Sequence, residues 1–271
     1  MEKIQELTAH ARCIREHTIR CIKSVGMGHI GGCLSIADVL AALYYDVMHV
    51  DPSNPALRER DRLVLSKGHA GPALYATLAL KGFFPTENLL SLNAPGTMLP
   101  SHCDRKRTPG IDATTGSLGQ GLSIALGIAL GAQLEGLPSR TYCIMGEGDL
   151  QEGQTWEAAM LAGNRRLGKL VAIADLNGWQ IDGTVDDVNS LGDVKAKFEA
   201  FGWTAIEVAD GNDIAQLRDA LAGIDYEGKK PTALILRTIK GKGVPFMENR
   251  VEFHHAVLPA EKWQEALDTL Q

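Results

Sequence analysis

Residues 140–153 read RTYCIMGEGDLQEG, and residues 170–183 read LVAIADLNGWQIDG. Each opens as a short, largely apolar run of the kind that forms a buried strand, and each ends in a loop punctuated by glycine. Between them, residues 151–166 follow a helical pattern with Trp156, Ala159, Met160 and Gly163 along one stripe. The alternation continues with a helix over 193–201, a strand over 203–208, a capped helix over 213–223 and a strand over 232–237. This order predicts an α/β fold, a mostly parallel sheet with helices on both faces. Ligands of such sheets sit beyond the carboxyl ends of the strands. The loops after Met145, Asp175 and Arg237 are therefore the places where a site should form.

If the two quoted strands are parallel, their loops lie on one edge of the sheet. The Glu147 carboxylate and the Asn177 amide oxygen, 30 residues apart, can then converge on one hard cation. With a backbone carbonyl, diphosphate oxygens and a water they would complete the octahedral oxygen shell that Mg²⁺ demands. Gly146 and Gly148 suit a diphosphate, because bare backbone N–H groups can approach it closely. A lone Gly-acid-Gly is most often only a turn. Two such loops, each following a strand, form a much more specific signal.

The first half of the chain is less regular. Helical patterns cover residues 2–23, 35–47 and 70–81, and a short strand, RLVLS (62–66), runs straight into Lys67-Gly68-His69. The turn over 116–121 opens a helix rich in small residues, which permits close approach of another backbone. Charge runs at 58–62 and 104–107 read as solvated loops. The whole chain, 1–271, reads as a single domain, with residues 1–24 forming an N-terminal helix packed on it.

The composition excludes several classes. With 27 Lys+Arg against 33 Asp+Glu the net charge is −6, which gives no general electrostatic reason to bind nucleic acid or an anionic membrane. At 45% hydrophobic and 22% charged the chain is an ordinary globular one. The longest uncharged run, 113–134, mixes Thr, Ser, Gln and five glycines into its apolar residues and makes a poor membrane span. Five widely spaced cysteines without a Cys-x-x-Cys pair fit neither a disulfide framework nor a zinc knuckle. The expectation is a reduced, soluble, cytoplasmic protein.

Several words of this sequence resemble transketolase. They are SVGMGHIGG (24–32), LSKGHAGPALYATLALKGFF (65–84), LPSHCD (99–104), TTGSLGQGLSIALG (114–127), GEGDLQEGQTWEAA (146–159), LNGWQIDG (176–183) and TIKGKG (238–243). The likeness runs in family order from about residue 20 to about residue 256. It is best with the half-length type, in which the diphosphate-binding half is a separate polypeptide. The resemblance implies thiamine diphosphate and Mg²⁺ as cofactors, with Ca²⁺ or Mn²⁺ as possible substitutes, and transfer of a two-carbon ketol unit between sugars or sugar phosphates. It implies Glu147, Asn177 and the Trp179 carbonyl as metal ligands. Gly146 and Gly148 would face the diphosphate, Gly116 and Leu118 the aminopyrimidine, and Ile181 and Ile239 the thiazolium. His29, His69, His102 and one of His254 and His255 would ring the reactive carbon and the diphosphate, with 254 the better match because it follows Phe253. Glu152 would join a carboxylate network at a subunit interface. The family usually has Asp where this chain has Glu147, so backbone or rotamer must absorb one methylene; Asp149 is a second candidate ligand.

Imidazole suits ketol transfer because hydroxyl protons must move and its own titration lies near working pH. Of the eight histidines, His10, His17 and His49 read as helix-surface or core residues, and Cys33 and Cys103 as small buried apolar side chains. Family enzymes also use a glutamate and an aromatic platform from a pyrimidine-binding domain, for which the sequence shows no counterpart. The expectation is thus a chain active only with a complementary C-terminal, pyrimidine-binding subunit, as an α2β2 assembly. Other readings are a thiamine diphosphate synthase condensing pyruvate with an aldehyde, a non-catalytic scaffold subunit, and a nucleotide-dependent oxidoreductase. The last would use Gly26-Met27-Gly28-His29-Ile30-Gly31, but that turn follows a helical pattern where the dinucleotide motif needs a strand.

Overall fold

A computed structural model describes residues 1–270. Its seven strands are β1 (Met27–Gly28), β2 (Arg62–Leu65), β3 (Thr141–Gly146), β4 (Leu170–Leu176), β5 (Thr204–Val208), β6 (Thr232–Arg237) and β7 (Ala256–Val257). Five of them form a sheet in the order β2-β3-β4-β6-β5. Every pair in it is parallel, with Gly146 opposite Asp175 and Leu176 opposite Arg237. β3 and β4 are buried along their whole length, which is why they read as continuous apolar runs and not as an alternation.

Alternate side chains of the strands feed two cores. Leu63, Leu65, Tyr142, Ile144, Val171, Ile173, Leu234 and Leu236 point to one face, where they meet Leu7, Ile14 and Ile22 of the helix Glu2–Lys23 and residues of the helices Gly71–Lys81 and Ile214–Ala222. Val64, Cys143, Met145, Ala172, Ala174, Ala233 and Ile235 point to the other, under the helices Gly121–Leu134, Gly153–Arg165 and Val194–Ala200. The second face is the smaller-residue face, and small helix residues meet it. The first residue of its leading helix illustrates the fit: a Cβ on Gly121 would lie 2.3 Å from Ser66 Cβ. Each large aliphatic side chain so buried contributes about 1.5–3 kcal/mol.

Three features differ from expectation. The helical pattern over 35–47 is broken into Gly31–Leu34, Ala37–Ala42 and a π-helical turn, Leu43–Val47. Ser35 lies at the first break, its hydroxyl turned to Asp175 at 2.8 Å. The loop after β3 begins with a helical turn, Glu147–Leu150. Finally, β1 and β7 pair antiparallel, Met27 with Val257 and Gly28 with Ala256, which ties residue 29 to residues 254 and 255. No described helix is long and apolar enough to cross a membrane.

Candidate active site

The strand ends of β2, β3, β4 and β6 open onto one cleft of about 330 Å³, whose walls include His29, Lys67, His69, His102, Glu147, Asn177, Trp179, Lys240 and His254. Glu147 starts the helical turn after β3 and is 4% exposed. Its Oε1 accepts the Gly178 N–H at 2.6 Å. Gly178 has φ +83°, a left-handed conformation that glycine adopts without strain, and this aims its N–H back across the loops. Burial first, and the charge of Asp175 second, push the Glu147 carboxyl up to about 7. Asn177 donates from Nδ2 to Asp175 Oδ2 at 3.0 Å and accepts the Trp179 N–H on Oδ1 at 3.3 Å. The Trp179 carbonyl accepts from Lys240 Nζ at 3.0 Å.

The imidazoles gather as a group. The His29 ring lies 5.0 Å from His69, 6.3 Å from His102, 5.5 Å from His254 and 4.6 Å from His255, centroid to centroid. The β1–β7 pairing is what brings the two ends of the chain into this group. Burial, then the neighbouring His255 and His102, lower His29 to about 4. Burial and Lys67 lower His69 to about 2, and burial and Lys240 lower His254 to about 3. All three are therefore neutral near pH 7, each offering one N–H and one lone pair.

Gly116, Leu118, Gly146, Gly148 and Ile181 also line the cleft, Ile181 being 66% exposed at its mouth. A Cβ on Gly148 would meet Leu118 Cδ1 at 2.8 Å, and one on Gly116 would meet the His102 ring at 3.1 Å. Three candidates are not on the cleft wall. Ile239 is not on the cleft wall, and its N–H donates to Asn212 Oδ1 at 2.9 Å. His255 is exposed beside His29 but outside the wall. Glu152 is exposed at the N-cap of the helix Gly153–Arg165.

Asp149 is fully buried and already occupied, accepting from Ser66 Oγ at 2.5 Å, Gly119 N at 2.8 Å and Gly146 N at 2.9 Å. It serves as a structural acceptor that joins three loops, and this sets it apart from Glu147 as a cation ligand. The cysteines are free thiols, and among the described residues no three His, Cys, Asp or Glu side chains form a metal site by themselves.

The sequence reading missed two buried lysines. Lys67, 2% exposed, donates to Asp175 Oδ2 at 2.6 Å and to the Gly32 carbonyl at 2.8 Å. Lys240, also 2% exposed, contacts His254 Nδ1 at 3.1 Å as well as Trp179; burial and Lys67 lower it to about 8. Both lie within three residues of a strand's carboxyl end, the position that should have drawn attention to them. A second cleft of about 330 Å³ lies under the amino ends of the strands, beside Arg166, Lys169 and Tyr226, and shares no residue with this group.

A family model described as transketolase, thiamine diphosphate binding domain, matches residues 7–270. The chain belongs to the transketolase family. It is 51% identical over 266 residues to the 6-deoxy-6-sulfo-D-fructose transketolase subunit SqwG of Clostridium sp. (strain MSTE9), covering 98% of this chain and 96% of that one. It is 40% identical to an apulose-4-phosphate transketolase subunit from Phocaeicola vulgatus, covering 98% of this chain and 94% of that one. Among solved structures, the transketolase of Campylobacter jejuni superposes with a TM-score of 0.91 at 33% identity, over 98% of this chain and 43% of its own. This transketolase-family chain thus spans nearly the whole of the separate subunits and under half of the solved transketolase.

Proposed function

We propose that the chain is the diphosphate-binding subunit of a transketolase that moves a two-carbon ketol unit between sugars carrying an anionic tail. Glu147, Asn177 and the Trp179 carbonyl would hold Mg²⁺ against the diphosphate of thiamine diphosphate. The observation that carries the reading is the meeting of these three oxygen donors and four imidazoles in one cleft.

The donor set fits the group. It is a carboxylate, an amide and a carbonyl, all hard oxygens, and too few to complete a shell without oxygens from a ligand. The raised Glu147 carboxyl marks a place where a divalent cation would relieve buried negative charge. Lys67 and Lys240 supply fixed positive charge for a diphosphate, and bare backbone at Gly146 and Gly148 leaves room for it.

Bound thiamine diphosphate supplies the electron sink for breaking and making a carbon–carbon bond beside a carbonyl. This chain's residues orient and exchange protons. Neutral His29 and His69 can each donate one hydrogen bond and accept another from substrate hydroxyls, whereas His254, whose lone pair takes the Lys240 ammonium, is left as a donor. Lys240 fixes His254 through Nδ1, which leaves Nε2 for the cleft.

The relatives named as subunits span the same length as this chain, which supports a complementary subunit; in this reading it is the pyrimidine-binding half, and the enzyme is α2β2. The names of the two relatives point to a ketose with a sulfonate or a phosphate at its far end as donor. The test is ketol transfer by the chain together with its complementary subunit, assayed with thiamine diphosphate, Mg²⁺ and either 6-deoxy-6-sulfofructose or a ketose phosphate. Transfer that needs both subunits and both cofactors supports the reading. Absence of transfer from either donor class by a well-folded complex overturns it.

A further inference from the structure

Asp175 stands opposite Gly146 in the sheet and has no exposed surface. It is not part of the cleft wall, yet its carboxylate collects donors from four segments. Oδ2 accepts from Ser35 Oγ at 2.8 Å, Lys67 Nζ at 2.6 Å and Asn177 Nδ2 at 3.0 Å, and Oδ1 accepts from Thr238 Oγ1 at 2.5 Å. Two of these donors, Lys67 and Asn177, do line the cleft.

We propose that Asp175 is a positioning residue for the cation site, dictating which end of the Asn177 carboxamide faces the cleft. The inference rests on the reading of Asn177 as a cation ligand. An ionised carboxylate only accepts hydrogen bonds, whereas a carboxamide has one accepting and one donating end. The end of Asn177 held against Asp175 must therefore be the NH₂ group. The amide oxygen is turned away, and its protein partner is the Trp179 N–H at a long 3.3 Å, so a lone pair remains for a cation. A flipped amide would set two acceptors against each other at the Asp175 side and present N–H donors to the cation. The same Asp175 oxygen holds the Lys67 ammonium, so that this lysine stays fixed as a charge and does not take the Asn177 oxygen. Ser35 and Thr238 lock the carboxylate's own rotation from either side.

The experiment is a double-mutant cycle on the full chain, reading protein-bound Mn²⁺ by equilibrium dialysis in the presence of thiamine diphosphate, with melting temperature measured in parallel. Asp175→Asn keeps the shape but can present either end to Asn177. It should weaken Mn²⁺ binding by about tenfold or more, the range found when partners of metal ligands are removed. In an Asn177→Ala background the same change should weaken it by no more than about twofold, because the residue through which it acts is gone. Thr238→Val, a milder change at the other carboxylate oxygen, should weaken Mn²⁺ binding about threefold, again only while Asn177 is present. This second variant carries the cycle if Asp175→Asn does not fold. Melting-temperature losses should persist in both backgrounds, since the hydrogen bonds to Lys67 and Ser35 do not depend on Asn177. Equal Mn²⁺ losses with and without Asn177, or none in either, would overturn the proposal. If Asn177→Ala alone binds Mn²⁺ as tightly as the parent, the reading of Asn177 as a ligand fails first and the proposal falls with it.

Discussion

Glu147 and Gly178 are joined by a 2.6 Å hydrogen bond that laces the loop after β3 to the loop after β4. The longer reach of Glu over Asp thus goes into a contact between the two loops, with the carboxylate seated on a backbone N–H. Shortening the side chain should undo this. Glu147→Asp is expected to weaken metal-dependent binding of thiamine diphosphate by about tenfold, the worth of one charge-assisted hydrogen bond. Glu147→Gln, which removes the charge, should weaken it more. Titration of cofactor at fixed Mg²⁺ checks both; a gain on Glu147→Asp would mean that the site is built for the shorter acid.

Lys240 bridges the Trp179 carbonyl and His254. Lys240→Met should lower affinity for thiamine diphosphate by about 10- to 100-fold, as expected for loss of a buried charge-assisted contact. It should also let the His254 pKa rise from about 3, only part of the way because burial is the larger cause and the Lys240 charge the second. Histidine proton resonances followed against pH would show the shift, and an unmoved His254 would contradict the contact.

The acid limb of stability should bear the mark of the imidazoles. Folded His69 resists protonation down to about 2, whereas the unfolded side chain titrates near 6.5. Its contribution is complete above that value and is lost as the pH falls, at about 1.4 kcal/mol per pH unit. His29 and His254 act in the same direction. Glu147 acts in the opposite one: its carboxyl is raised from 4.5 to about 7, so its stabilisation is present below 4.5 and disappears as the pH rises to about 7. Melts of the metal-free chain between pH 7 and pH 5 should show a net loss on acidification, and His69→Asn should flatten it. A curve unchanged by that substitution would contradict the assignment.

Asp149 separates structure from chemistry. Asp149→Ala strands three buried donors on Ser66, Gly119 and Gly146 and should cost about 3 kcal/mol or more, lowering the melting temperature by about 10 °C. Cation affinity of the folded fraction should change little. A selective loss of cation binding at unchanged melting temperature would make Asp149 a ligand after all.

The parallel sheet was legible because β3 and β4 are buried on both faces and therefore spell unbroken apolar runs that end in glycine. That pattern placed Glu147 and Asn177 at one sheet edge. What lay beyond reading depends on partners distant in sequence. The two-residue ladder of β1 and β7 is too short to leave a periodicity, yet it brings His29 to His254. Lys67 and Lys240 are buried against the usual preference of lysine, and acceptors distant in sequence explain it: Asp175 and the Gly32 carbonyl for Lys67, the Trp179 carbonyl and His254 for Lys240. Ile239 follows a strand as a pocket residue should, but Asn212 holds its backbone and the cleft wall passes it by. Local pattern locates strand ends; which side chains turn inward is decided by the polar groups waiting there.

The decisive measurement is a crystal structure of the chain with thiamine diphosphate and Mg²⁺. An octahedral ion should lie about 2.0–2.1 Å from a Glu147 oxygen, Asn177 Oδ1 and the Trp179 carbonyl, with diphosphate oxygens completing its shell. Cofactor bound elsewhere, or bound in this cleft with those three oxygens turned away from any ion, would contradict the central assignment.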